Sequence, residues 1–542
     1  MNDRRSGRHD SESSAKQDQP PPIAGKAKDL EVIRTAMVDA AGVSAGLWFS
    51  YLFVLLYLLI AAGSVTHRAL LFESPVKLPF LNVDLPLLGF FILGPALFIV
   101  AHAYVLLHFS LLAAKVGAFH SELRHQVGDP NTRMELRRQL PSNIFVQILS
   151  GPREVRTGVL GALLWLVAWI SLVIGPVALL VFFQFQFLPY HDEAITWWHR
   201  TAVILDLLLL WTLWPSVALG RTTMITWRDF RHAKVAAAAL ASLMILILVL
   251  TTATIPGEFL NRKGIWIRFI PQYVTIVRER REGPTGERLV TTAETSLRWI
   301  TLQQFLVEGL IDPVSGKITS PWSNRLILPY LDGVPEGLSL RARHLEGAVF
   351  FSANMRKVDF TAAQLDDAMF NNADLREANF SCAKPLGTSH GTSYWGQQFI
   401  VRARHCVTAR NASFVSAQLQ RASFDDASLP GASFVAANIE DTGFDRASLA
   451  GAQLSIAKGR YARFNDARLE GSILLKADLR DAQFANAHLQ KAFMLGADLT
   501  GANLQGAELV GADLRDASLN CANLTEAGRD GRCVGAERDL AE

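Results

Sequence analysis

The groups able to do chemistry in this 542-residue chain are few and scattered. His102, His108 and Asp206 sit inside long apolar runs, where an ionisable side chain is a functional hypothesis by default. Six residues apart on a helix, the two histidines point to different sides and make a poor metal pair. The stretch HDEAITWWH supplies His191, Asp192, Glu193 and His199, with no recognised ligand spacing. Each of these groups has a plainer role open to it, meeting a neighbouring helix or an interface. A proton or ion path through Asp206 is the sharper alternative. The four cysteines, Cys382, Cys406, Cys521 and Cys533, fall in the second half, and an even number is compatible with disulfides. No catalytic triad, P-loop or dinucleotide fingerprint occurs, so the sequence points to no enzyme, cofactor, metal or small-molecule substrate.

The elements that must carry these groups are of two kinds. In the first 260 residues the hydrophobic side chains form long unbroken runs; in the last 200 they recur at fixed spacing. Met1–Lys28 is charged, contains QPPP and reads as the start of a disordered cytoplasmic tail that reaches residue 42. It is not a signal peptide, because no short apolar segment with a cleavage site follows. Five runs are long enough for a bilayer, which takes about 20 apolar residues. They are Val43–Val65, Leu85–Ala114, Gly158–Tyr190, Thr201–Gly220 and Val235–Gly257, a helical membrane domain over residues 43–257. The third exceeds a perpendicular span, so it tilts or its end, FFQFQFLPY, emerges at the interface. In the loop before it, Ile144, Phe145, Ile148 and Leu149 share a helical face, suited to a membrane surface or to neighbouring helices.

The tail and the second and fourth loops hold eighteen Lys and Arg, whereas the first and third loops hold only Arg68, Lys77 and Arg200. Basic loops stay in the cytoplasm. The N-terminus is then inside, and five spans carry the C-terminal half across a bacterial inner membrane to the periplasmic side. The basic residues Arg262, Lys263, Arg268, Arg278, Arg280 and Arg281 oppose this orientation, although long translocated domains obey the charge rule poorly.

The second half is written in fives. An apolar centre recurs at every fifth position from 414 to 524, with alanine two residues before it except at Thr442 and Ser472. An earlier block has centres from Leu340 to Phe380, where Leu338, Arg343 and Val358 replace the alanine. Residues two apart on an extended segment face the same way, so alanine and centre both point inward. The next pair starts three residues on, which reverses the parity, and the chain must turn a corner between pairs. Phe424, Phe444, Phe464 and Phe484 stack only if four sides close one coil. The second block then makes nearly six coils, roughly 28 Å tall at about 4.8 Å per coil. Alanine, such as Ala482, is required where four sides crowd one axis.

This pattern resembles the pentapeptide-repeat family, through stretches such as ADLRDASL, GANLQGAEL and KADLRDAQF. The resemblance implies a right-handed, four-sided β-helix over residues 338–380 and 412–526. With the apolar runs, LSLRARHLEGAVFFSANMRKVDFTAAQL is similar to bacterial membrane-anchored members. The resemblance brings no catalytic residues. Residues 381–411 break the frame, as a looped-out excursion or as two irregular coils; with Tyr394, Trp395, Arg402, Arg404 and Arg410 they form a candidate binding face or a tolerated surface loop. Residues 258–337 connect and cap the solenoid, with IWIRFI and YVTIVRER as strands and SLRWITLQQFLVEGL as a helix; residues 527–542 are a tail.

Three functions fit. The first is a membrane-anchored scaffold that binds another protein or an envelope component along a solenoid face. The second is a channel or transporter with a regulatory solenoid, which calls for more polar groups in the spans. The third is a DNA mimic that binds topoisomerases. Mimicry needs a strongly acidic exterior, and residues 411–530 hold fifteen acidic against eleven basic residues. Direct nucleic-acid binding is not expected at a net charge of +3. The cysteines bear on location. Cys382–Cys406 and Cys521–Cys533 would staple the two places where the repeat fails, and such bonds persist outside the cytoplasm.

Overall fold

The computed structural model describes residues 24–78, 83–156, 158–219, 233–256, 270–282, 288–300, 302–308, 320–383 and 405–525. It divides into two compact units, one of residues 1–54, 100–176 and 207–229, the other of residues 55–99, 177–206 and 230–542. Among the described residues five helices are long and apolar enough to cross a membrane: Leu30–Gly63, Leu87–Gln126, Val159–Tyr190, Glu193–Ala218 and Val235–Thr252.

Their bounds correct the sequence reading in three places. The first helix begins at Ala24, so residues 24–42 are not a disordered tail; the alanine-rich stretch AGKAKDLEVIRTAMVDAAG carries no proline to stop a helix. Residues 1–23 lie outside the described residues. The second helix continues to Gln126, just short of Gly128 and Pro130. Arg200 lies inside the helix Glu193–Leu219, not in a loop, and is fully buried. The end of the third long helix is also covered by protein, with Phe183, Phe185, Phe187 and Leu188 buried. Its extra length is taken up by a π turn at Ile170–Ile174, directly before Gly175 and Pro176. Pro176 has no N–H to give the carbonyl four residues back, and the helix widens there. The short helix Ile144–Ser150 buries Phe145, Val146 and Ile148, with Phe145 against Phe109 at 4.0 Å between ring centroids.

Beyond the helices, strands Ile270–Glu282 and Arg288–Ile300 form an antiparallel hairpin. The expected helix from Ser296 is therefore strand as far as Ile300, and helix is left only at Leu302–Leu306. The hairpin pairs in unbroken register, so a partner strand overrides the helical pattern of SLRWI. Most of IWIRFI lies outside the described residues.

The repeat folds as a coil of four sides. Parallel bridges join each residue to the one 20 positions on, as in Ser413↔Ser433, Gln418↔Asn438, Ser423↔Gly443 and Ser428↔Ser448. Each corner is a turn in which the residue three after the centre donates to the centre's carbonyl, as Ala417 N does to Phe414 at 3.0 Å. The residue two after the centre has positive φ, which suits Gly, Asn and Asp: Asp426, Gly431, Asp441, Gly451, Asn486. The sides are numbered by their centres. Side 1 contains Phe414 and Phe434, side 2 Leu419, side 3 Phe424 and side 4 Leu429. Phe424, Phe444, Phe464 and Phe484 form one buried ladder on side 3, with successive centroids 5.1, 4.9 and 4.8 Å apart. Phe350, Phe370, Phe414 and Phe434 stack likewise on side 1. The two ladders meet edge to face across the axis, Phe414 to Phe424 at 5.5 Å.

The alanine column is buried from Ala412 to Ala507, Ala482 included, and half-buried at Ala512 and Ala517. Thr442 is tolerated in it because its hydroxyl donates to the carbonyl of Leu419 at 2.8 Å. Within the unbroken run from 414 to 524 one centre departs from the rule of a large apolar residue, Gly459. A Cβ there would stand 2.9 Å from Leu479 Cδ2 and 3.1 Å from Ile439 Cδ1, because the side chains above and below have filled the gap. Leu326, Leu328 and Leu331 close the first coil from beneath, where Ile327 bridges Val349.

Candidate functional site

The outward positions of the solenoid are those just before and just after each centre, and the four sides use them differently. On sides 2 and 3 they are mostly polar. Where the sequence reads Asp-Leu-Arg, the arginine folds back on its own aspartate through two nitrogens: Arg376 on Asp374, Arg480 on Asp478, Arg515 on Asp513. These bonds hold the Asp513 carboxyl at about 2, the side-chain bond from Arg515 foremost. The forks neutralise the exterior locally. Side 1 differs, because Ile473, Leu475, Phe493 and Leu495 point outward there; Leu475 is 36% and Phe493 50% exposed.

The first coil carries a second polar arrangement. Arg343, which takes an alanine position, donates to Glu73 Oε1 at 2.6 Å and lies 4.3 Å over the Tyr190 ring. Tyr190 donates to the same Glu73 oxygen at 2.7 Å. His191 is buried, with Nδ1 3.2 Å from Glu346 Oε2 and Nε2 2.5 Å from the carbonyl of Asn324. Both ring nitrogens face acceptors. Burial alone would raise the Glu346 carboxyl, but hydrogen bonds from His191 and His344 bring it down to about 2. The bond to Glu346 raises His344 above the usual imidazole value. Asn324 in turn donates to the carbonyl of Thr254 at 3.1 Å. Beside this cluster a cavity of about 220 Å³ is walled by His67, Phe185, Pro189 and Trp322 among others. His67 Nδ1 already accepts from the N–H of Ile327 at 3.1 Å, so the wall offers little free polarity.

The family model for pentapeptide repeats matches residues 344–381, 412–451, 477–516 and 497–527, in 8 copies. The solenoid is a pentapeptide-repeat domain. Solved structures similar to it include HetL, a pentapeptide repeat protein involved in heterocyst differentiation regulation from the cyanobacterium Nostoc. That likeness has 23% identity over 36% of this chain and 92% of the other, with a TM-score of 0.23. QnrB1, a plasmid-mediated fluoroquinolone resistance protein, is 16% identical over 34% of this chain and 89% of its own, with a TM-score of 0.19. A pentapeptide repeat protein of the Arabidopsis thaliana thylakoid lumen is 32% identical over 20% of this chain and 63% of its own, with a TM-score of 0.12. No curated protein matches the chain.

Ahead of the pentapeptide-repeat domain, the polar groups of the long helices have structural work. His102 Nε2 donates to the carbonyl of Leu172 at 3.1 Å, the acceptor that Pro176 leaves without its helical donor. His199 Nε2 donates to the carbonyl of Phe91 at 2.9 Å, and Phe91 is four residues before Pro95. Each histidine thus plugs a carbonyl orphaned by a proline. Gln184 donates to Val249 and Ala253, and Arg200 to Ala253, at the π turn Leu248–Thr252. Asp206 is fully buried, and His108 is half-buried against Tyr104. Among the described residues no three His, Cys, Asp or Glu side chains converge on a metal-sized point. The sequence signal for these plugs was a proline inside each apolar run, at 95 and 176.

The cysteines lie where the pentapeptide-repeat domain is interrupted and where it ends. Cys382 and Cys406 are bonded across the neck of the insertion, beside the bond from Ala383 N to the carbonyl of His405. Gln364 bridges Thr408 directly, and Asn379 bridges Ser423, so the insertion adds no coil. The expected span of 381–411 is too wide, because Thr408 and Arg410 already belong to a coil. Alanine in place of a large centre at 409 hid this. Residues 384–404, with Tyr394, Trp395, Arg402 and Arg404, lie outside the described residues. Cys521 is exposed on the last coil, and Cys533 lies outside the described residues.

Proposed function

We propose that this chain is a membrane-attached, non-catalytic scaffold of the bacterial inner membrane, its pentapeptide-repeat domain held on the periplasmic side for another protein or an envelope component to bind. One observation carries the reading. The segments that grip the first coils are the loop after the first long helix (Glu73), the loop after the third (Tyr190, His191) and the end of the fifth (Thr254). Five membrane crossings bring those three segments to one side. The loops after the first and third helices hold few basic residues, and fewer still now that Arg200 is in a helix, although the basic cluster at 262–281 follows the fifth. Arg–Asp forks along the coils leave little of the continuous acidic surface that DNA mimicry needs. One ring nitrogen of each of His102 and His199 is held by a proline-freed carbonyl, a structural use that suits an anchor.

The test uses the full chain with Gln505→Cys on side 3 and serine at 521 and 533, expressed in bacterial cells. An impermeant maleimide should label it in cells whose inner membrane is intact. Labelling that begins only once that membrane is opened overturns the orientation, and release by alkaline carbonate overturns the attachment.

A further inference from the structure

We infer that side 1 of the solenoid is where two copies of this chain join, side by side, about a two-fold axis parallel to the solenoid axis. Such an axis keeps every coil at its own height and reverses left and right. The residue before each centre then faces the residue after the same centre in the second copy. Over its last four coils, centred on 454 to 514, side 1 is complementary to itself under that operation, whereas in the two coils below Ser413 meets Val415 and Ser433 meets Val435. Ile473 meets Leu475 of the second copy, and Phe493 meets Leu495. One coil further, Asp513 meets Arg515, and the two intramolecular forks become an alternating ring of four charges. One coil below the apolar pair, Gln453 meets Ser455. Apolar faces apolar, acid faces base, and polar faces polar at the same heights.

The corners of side 1 agree independently. Each coil has one corner on either side of this face, and the operation sets the two against each other. Lys476 comes opposite Gly471, Ile456 opposite Gly451 and Asp516 opposite Gly511. In the coil where the left corner is the bulky one, Lys491, the right corner is Gly496. No coil from 451 to 516 sets two large corners against each other at the same height, while Lys476 and the second copy's Lys491 stand one coil apart on the same flank. Ile456 is a β-branched residue held at φ 52° and is 52% exposed, a strained and solvated position unrewarded within one copy. Against Gly451 of a second copy it fills a notch.

The area decides where the pairing can happen. Side 1 of the second block is about 10 Å wide and roughly 28 Å tall, from about 3.3 Å per residue and 4.8 Å per coil. Two such faces bury well under the roughly 1,200 Å² of a stable soluble complex. Anchoring in one membrane sets the copies at equal height and raises their effective concentration. In that respect, and only in that, the inference rests on the membrane reading.

Two differently tagged full-length chains are co-expressed, one with Ile473→Cys and the other with Leu475→Cys, both with serine at 521 and 533. Oxidative cross-linking of the membranes should give the mixed-tag dimer several-fold above either same-substitution dimer. Equal yields in all combinations, or yields no higher than with Gln505→Cys on side 3, overturn the interface. Asp513→Arg in both chains should reduce the mixed dimer, and adding Arg515→Asp to both should restore it; a doubly swapped pair that stays monomeric overturns the axis. Carbonate extraction of the same membranes reads attachment separately. A chain that is released yet still forms the mixed dimer fails the membrane reading and keeps this one.

Discussion

In the long helices a buried donor finds its acceptor far along the chain: His102 reaches a carbonyl 70 residues away, and His199 one 108 residues away. In the solenoid the backbone of one coil finds its partner 20 residues on, and the next bond repeats the last. Both regions bury polar groups out of water, where an unpaired one costs about 1–3 kcal/mol. The helices meet that demand with single, unrepeated plugs. The solenoid meets it with one rule used along its length. A defect should therefore stay local in the solenoid, where each coil touches only its neighbours. In the helices it should disturb two distant segments at once.

The largest expected effect tests the solenoid side of that comparison. Phe444→Ala removes a ring stacked between Phe424 and Phe464 and should cost about 3–5 kcal/mol. Hydrogen exchange on the full chain in detergent should show faster opening of the coils around 424–464, with the helices unchanged. A loss below about 0.5 kcal/mol, typical of a surface site, would count against the inward ladder. Ala482→Leu comes next, at about 1–3 kcal/mol from overpacking the narrow axis, and is checked by the shift in thermal unfolding.

His199→Leu breaks the helical side. It leaves the Phe91 carbonyl without a donor and should cost about 1–3 kcal/mol. Exchange should rise both near Phe91 and near 199. Pro95→Ala returns a helical N–H to that carbonyl, so the double variant should lose less than the sum of the two single changes. Strict additivity would refute the plug.

The smallest effect belongs to the join between the loops and the first coil. Glu346 is depressed to about 2, so the stability it lends is full above the ordinary carboxyl value of about 4.5 and fades as pH falls toward 2. His344 is raised, so its share is full below the ordinary imidazole value of about 6.5 and fades as pH climbs through its raised one. Proteolysis between residues 320 and 346 should be slowest between those limits. Glu346→Gln should cost about 1 kcal/mol and flatten the acid limb. An unchanged pH profile would show that the cluster does not hold the join.

Sequence by itself determined the solenoid, its four sides and the five apolar helices. A period of five admits one way to keep alanine and centre inside, and the phenylalanines spaced by 20 count the sides. It also contained the self-matching order of side 1, which becomes visible once the coil length is known. It mistook Ser296–Ile300 for helix, because the strand opposite decides that segment. It left His102 and His199 as polar groups whose plainer role was to meet a partner helix or an interface. Only the tertiary structure resolved them, by setting each against a carbonyl that a proline had stripped of its donor. It also gave Arg343 a partner in Glu73 and gave Glu346 one in His191, where the repeat alone records only a missing alanine. The physical reason is reach. In a repeat, a residue's surroundings follow from fixed offsets along its own chain. Between helices they follow from which segments happen to pack, and no local pattern of side chains encodes that.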